Sequence, residues 1–175
     1  MSVVCLDPLV DPRWQRLVDR QASSVFQSPA WLNVLVETYG FEAGALILLD
    51  QDGEARAGVP FCRVEDLMGE RLAALPFSDY CDPLLSKPEE WTALSDALLQ
   101  RGCPVTLRPL HNEIPCADDR FVRLKQARWH GVDLRPDLEA HRARLHDSAR
   151  RNIKKAERAG VQIRVAEGPD DLRAF

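Results

Sequence analysis

Apolar residues recur along the chain with two periods, about 3.6 in some stretches and 2 in others, and the alternation between them predicts the elements. Over Pro12–Arg20, Trp14, Leu17 and Val18 fall on one side of a short helix. The stretch SPAWLNVLVETYG (28–40) is a marked helix: Ser28 caps it, Pro29 takes the first position, Trp31, Leu32, Leu35 and Val36 form the buried stripe, and Gly40 closes it. ALILLD (45–50), a turn at Asp52-Gly53 and a second run over Ala55–Val64 predict a hairpin. A third strand over Glu70–Leu75 extends it to a meander, and the loop PFSDYCDPLL follows. Pro88 and the stripe Trp91, Leu94, Leu98 and Leu99 predict a further helix, which Gly102 stops before PVTLRPL returns as a strand. Two more strands are expected, around Phe121–Lys125 and through Trp129–Leu134.

RPDLEAHRARLHDSARRNIKKAERAG reads as helical, broken near Asp147-Ser148, where either residue would cap a second helix, and Gly160 ends it. VQIRVAE is expected as a strand. GPDDLRAF opens a last helix with Pro169 early, acidic residues in its first turn, and Leu172 and Phe175 starting an apolar face. A helix of two turns buries little, so the expectation is a fragment or domain of a longer polypeptide. The pattern as a whole is α/β (α+β), a central, mostly antiparallel sheet flanked by helices.

Composition narrows the choices. With 175 residues and 45% apolar content, one domain with a proper core is expected. A net charge of −4 argues against wholesale coating of nucleic acid, so an anion site must be local. Cys5, Cys62, Cys81, Cys103 and Cys116 lie far apart with no C-x-x-C pair, which fits reduced thiols and a cytoplasmic location. No secretory leader or spanning segment is recognisable, and the protein is expected to be soluble.

The local anion site is the second basic helix. On a helical wheel Ala149, Ile153 and Ala156 lie within about 60° of one another, while Arg150, Arg151, Lys154, Lys155 and Arg158 fill about 140° on the opposite side. Leu138–Gly160 carries seven Lys/Arg against three Asp/Glu, in a chain that is acidic overall. A solvated helix face usually alternates sign, whereas Arg150/Lys154, Arg151/Lys155 and Lys154/Arg158 set like charges together. An anion would relieve that repulsion, and mixed Arg and Lys suit phosphate oxygens.

Three stretches, VFQSPAWLNVLVETYG, LPFSDYCDPLL and SARRNIKKAERAGVQIRVAEGPDDLRAF, together resemble the FemAB/FemX-like proteins, the peptidoglycan-bridge aminoacyltransferases of the wider GNAT-fold acyltransferase group. The resemblance implies a first GNAT-like domain over residues 1–135, then a basic helical segment, a strand and the truncated start of a second domain over 136–175. It implies transfer of an acyl or aminoacyl group to an amine of a cell-envelope precursor, and hence a part in cell wall biogenesis. The donor would be aminoacyl-tRNA or acyl-CoA and the acceptor would bear phosphate. The full-length form would be active and this part alone inactive. An arginine of ARRNIKKAERAG, Arg150 or Arg151, would hold the phosphate, with Lys154 and Lys155 beside it. Two departures stand out: LNVLVE offers Asn33 where bridge-forming members often carry lysine, and the Q/R-x-x-G-x-G/A coenzyme A loop is absent.

The loop FSDYCDPLL supplies the candidate catalytic residues, Tyr80 and Asp82, with Asp79 nearby: carboxylates beside a phenol can orient an attacking amine or accept its proton. Aspartates that merely brace a turn would look the same in sequence. Cys81, flanked by carboxylates, reads as a buried thiol and not a nucleophile. His111, His130, His141 and His146 lack ligand spacing, so no metal is expected. The tryptophans read as core, with a different hint only at Arg128-Trp129. The alternative to an enzyme is a non-catalytic binding module that docks an acidic partner through the helix at 147–159.

Overall fold

The computed structural model describes residues 2–67 and 69–173. It divides the chain into two compact units, residues 1–127 and 128–175, a boundary ahead of the 135/136 division expected from sequence.

The first unit is a five-stranded sheet in the order β1-β2-β3-β4-β5. Its strands are β1 (Ser2–Leu6), β2 (Glu42–Leu49), β3 (Ala55–Asp66), β4 (Gly69–Ala73) and β5 (Val105–Thr106). Neighbours run antiparallel except β4 and β5, which are parallel. The β2–β3 hairpin turns at Gly53, φ +80°, and Asp50 Oδ1 accepts from the amides of Asp52 and Glu54 at 3.0 Å each. Helices α1 (Pro12–Arg20), α2 (Pro29–Tyr39) and α3 (Pro88–Leu99) cover the sheet.

Each face of the sheet has its own core. Ala45, Ile47, Cys62 and Val64 pack with Trp14, Leu17, Leu32 and Leu35 of α1 and α2. Leu46, Leu48, Ala57, Val59 and Phe61 pack with Trp91, Leu94 and Leu98 of α3. Burial on both faces explains why β2 and β3 read as nearly continuous apolar runs. At Gly58 a Cβ would come within 2.9 Å of both Leu17 Cδ2 and Trp14 Cζ3, so α1 crosses β3 where the side chain is missing.

The helix ends follow local chemistry. Ser28 Oγ accepts from the amide of Trp31 at 3.2 Å, and Gly40 ends α2 with φ +68°. Asp11 caps α1 by accepting from Arg13 N at 2.9 Å.

The observed strands differ from those expected at several points. The opening residues form β1, whose pairing with β2 was not foreseen. PVTLRPL shrinks to the two residues of β5. Phe121–Lys125 and Trp129–Leu134 form no strand, and neither does VQIRVAE at 161–167. Their alternation is real, but no neighbouring strand among the described residues takes up their backbone groups, so Val122, Leu124, Ile163 and Val165 are left 80–97% exposed.

In the second unit the helices are α4 (Leu138–Arg144), α5 (Asp147–Arg158) and α6 (Pro169–Arg173). The break falls as expected, but the cap is His146, whose Nδ1 faces the Ser148 amide at 3.4 Å, and not Asp147 or Ser148. Gly160 follows α5 with φ +72°. The apolar face expected from the Leu172 and Phe175 side chains lies outside what the structure describes. No described helix is long and apolar enough to cross a membrane.

Candidate functional site

The loop after β4 holds two non-glycine residues with positive φ. Leu75 and Phe77 both adopt left-handed conformations, φ +55° and +57°, each costing an L-residue about 1–2 kcal/mol. Leu75 is fully buried, which returns an apolar side chain to the core. Ser78 then locks the loop: its hydroxyl accepts from Trp31 Nε1 at 2.8 Å, and its carbonyl accepts from Arg108 Nη1 at 3.2 Å. A bridge from Leu84 to Gly58 joins this segment to β3, and one from Cys81 to Arg108 joins it to the chain just after β5.

Asp82 is the hinge of this arrangement. Its side chain is 10% exposed, and Oδ1 accepts from the amides of Leu110, His111 and Asn112 at 2.7–3.0 Å. Oδ2 faces Nδ1 of His111 at 3.1 Å. A carboxylate only accepts, so Nδ1 carries the hydrogen, and in the neutral ring this tautomer leaves the Nε2 lone pair free. The His111 side chain is 67% exposed, and Nε2 makes no hydrogen bond among the described residues. Tyr80 packs edge-on against that imidazole, centroids 5.2 Å apart, and edge-on against Phe26 at 5.5 Å.

Two side-chain amides hold the 82–85 loop from behind. Gln27, 1% exposed, donates from Nε2 to the Asp82 carbonyl at 2.9 Å, and its backbone carbonyl accepts from Trp14 Nε1 at 2.9 Å. Asn112 Nδ2 donates to the Leu85 carbonyl at 2.9 Å. Loops 78–85 and 108–112 are therefore tied together.

Tyr80 and Asp82 are brought together by the structure, with His111 between them and solvent. Asp82 braces a loop, as the simpler expectation held, and through the same oxygens it also orients a histidine. His111 has no ligand spacing, and nothing local in the sequence marks a pair 29 residues apart. Cys81 is buried, and its thiol pKa is raised by burial first, then by Asp82 and Cys62, which suits packing rather than attack. Among the described residues no cluster of three or more His, Cys, Asp or Glu could hold a metal ion.

Arg150, Arg151, Lys154 and Lys155 share the exposed face of α5 in the second unit. Arg150 is paired with Asp147, and Arg142 of α4 with Glu157 at 3.3 Å. Arg151, Lys154 and Lys155 have no carboxylate partner among the described residues. Within this unit an apolar groove of about 440 Å³ is lined by Val132, Leu138, Leu145 and Ile153, with His141 and Arg144 also in its wall. None of the four cations predicted to hold phosphate lines it. Trp14 and Trp91 are core, Trp31 is half-buried, and Trp129 is 52% exposed.

No family model, curated protein or solved structure matches the chain.

Proposed function

We propose that the chain is the first part of an N-acyl or aminoacyl transferase of FemAB-like type, with a GNAT-like fold, in which His111 accepts the proton of an attacking amine. The observation that carries this is the bond from Asp82 to His111 Nδ1, which presents a free Nε2 to solvent beside Tyr80. In such a transfer the amine nitrogen bonds to the acyl carbon, and the bond to the donor's oxygen or sulfur breaks. The amine proton passes to Nε2 and then to the leaving group. Asp82 fixes the tautomer and stabilises the imidazolium that forms, which makes it a positioning residue, and Tyr80 restricts the ring. The unpaired Arg151, Lys154 and Lys155 are suited to a phosphate-bearing cell-envelope precursor or to the backbone of aminoacyl-tRNA, and acyl-CoA is the other donor considered. A cytoplasmic site of action belongs to the same proposal.

The test is transfer from aminoacyl-tRNA or acyl-CoA to a panel of primary amines, with the chain as it stands and in its full natural context. His111→Gln is expected to lower kcat by roughly 10²–10⁴-fold, with KM nearly unchanged. Transfer that is indifferent to His111→Gln overturns the assignment. The other reading, a non-catalytic module docking an acidic partner, is favoured by the same three unpaired cations. It predicts salt-sensitive binding to an acidic partner that survives His111→Gln and is lost in Arg151→Glu/Lys155→Glu.

A further inference from the structure

After β4 the chain adopts a sterically disfavoured backbone at Phe77, φ +57°, yet leaves that residue 60% exposed. Leu75 shows the same conformation but gains burial, whereas Phe77 gains none of comparable extent. Strain that buys no burial points to a role for the ring in solvent.

The Phe77 ring stacks on Tyr39, centroids 4.3 Å apart and planes 19° from parallel. Phe41 lies nearly parallel to both, at 6.3 Å from Phe77 and 5.6 Å from Tyr39. Tyr39 is 49% exposed at the end of α2. Phe77 and Tyr39 keep 60% and 49% of their surface exposed while stacked, and the faces of aromatic rings carry the negative lobe of the quadrupole. The bonds from Trp31 and Arg108 to Ser78 anchor the backbone directly after Phe77.

Charge selects among ligands. Asp79, two residues beyond Phe77, is exposed, and its carboxylate makes no hydrogen bond or ion pair among the described residues. Residues 1–127 hold 12 Lys/Arg against 19 Asp/Glu, whereas residues 128–175 hold 11 against 8. A polyanion stacking its bases is disfavoured on so acidic a unit, and a neutral apolar ligand makes no use of the carboxylate. A cation uses both the ring face and the charge.

We propose that Phe77 and Tyr39, with Asp79, form a binding site for a cationic group, an ammonium or guanidinium carried by a ligand. Binding requires no transfer step, so the site stands or falls separately from the role of His111.

Choline and its uncharged carbon isostere 3,3-dimethylbutan-1-ol are the probes, titrated into the chain while the ring-proton resonances of Phe77 and Tyr39 are followed. Choline is expected to saturate in the millimolar range, about tenfold tighter than the isostere. Phe77→Leu and Asp79→Asn should each weaken choline by roughly three- to tenfold. Phe77→Gly, which suits the left-handed backbone and so keeps the fold, should do the same. Equal binding of the two probes, choline binding unchanged in the Phe77 variants, or no saturable shift would each overturn the site.

Discussion

Gln27 Nε2 donates to the backbone carbonyl of Asp82 across a separation of 55 residues, at 2.9 Å and out of reach of water. Its Oε1 accepts from the amide and hydroxyl of Ser24 at 2.8 and 2.6 Å, so both ends of the amide are bonded. One buried side chain thus ties the approach to α2 to the loop that orients His111. Gln27→Leu keeps the volume but leaves the Asp82 carbonyl and Ser24 amide unpaired. The expected cost is about 1–3 kcal/mol, read from urea unfolding, with faster amide exchange at 110–112. Unchanged exchange there would show the loop to be held without Gln27.

Gly58 sits beneath α1 with no space for a methyl group, since a Cβ would meet Trp14 and Leu17 at 2.9 Å and the Leu46 carbonyl at 3.1 Å. Trp14 is fully buried and cannot swing aside. Gly58→Ala is expected to destabilise by about 1–3 kcal/mol. Gly168→Ala, where nothing lies within 4 Å, should stay within about 0.5 kcal/mol by thermal melts on both variants.

Asp118 anchors the segment after β5 to α3. It accepts from Trp91 Nε1 at 2.9 Å and from Arg120 Nη2 at 2.8 Å. The Arg120 hydrogen bond is the main reason its pKa falls from 3.8 to about 2. A carboxylate with a folded-state pKa below its unfolded value adds stability that is fully present above about pH 4. That stability is lost as pH falls toward 2, where the folded state must also take the proton. Stability measured by Trp fluorescence should therefore decline between pH 4 and 2, and Asp118→Asn should flatten that decline. An identical acid slope in the variant would refute the assignment.

The five thiols should separate by accessibility. Cys5 and Cys116 are exposed, Cys103 is half-buried, and Cys62 and Cys81 are buried, with burial pushing the Cys62 thiol up to about 12. A disulfide reagent at pH 8 is expected to label Cys5 and Cys116 at once, Cys103 more slowly, and Cys62 and Cys81 only on unfolding. Rapid labelling of all five would mean that the sheet core opens readily.

Much of the first unit follows from the order of its residues. α1, α2 and α3 were legible because each combines a stripe at helical spacing with a proline in its first turn, all within a dozen residues. The β2–β3 hairpin was legible because Asp52-Gly53 reverses the chain between two apolar runs. The same local logic placed the cations of α5 on one face. Strand pairing obeyed a different constraint. Ser2–Leu6 carries a weak pattern and is a strand because β2 offers it an edge, while VQIRVAE carries a strong one and is not, because no described strand lies beside it.

The sequence by itself determined local geometry: where helices start and stop, where the chain turns, and which face of each element is apolar. Only the tertiary structure decided that Asp82 meets His111 and that Phe77 meets Tyr39. Those contacts join residues 29 and 38 positions apart, and they depend on how separate elements pack rather than on any rule that acts along the chain.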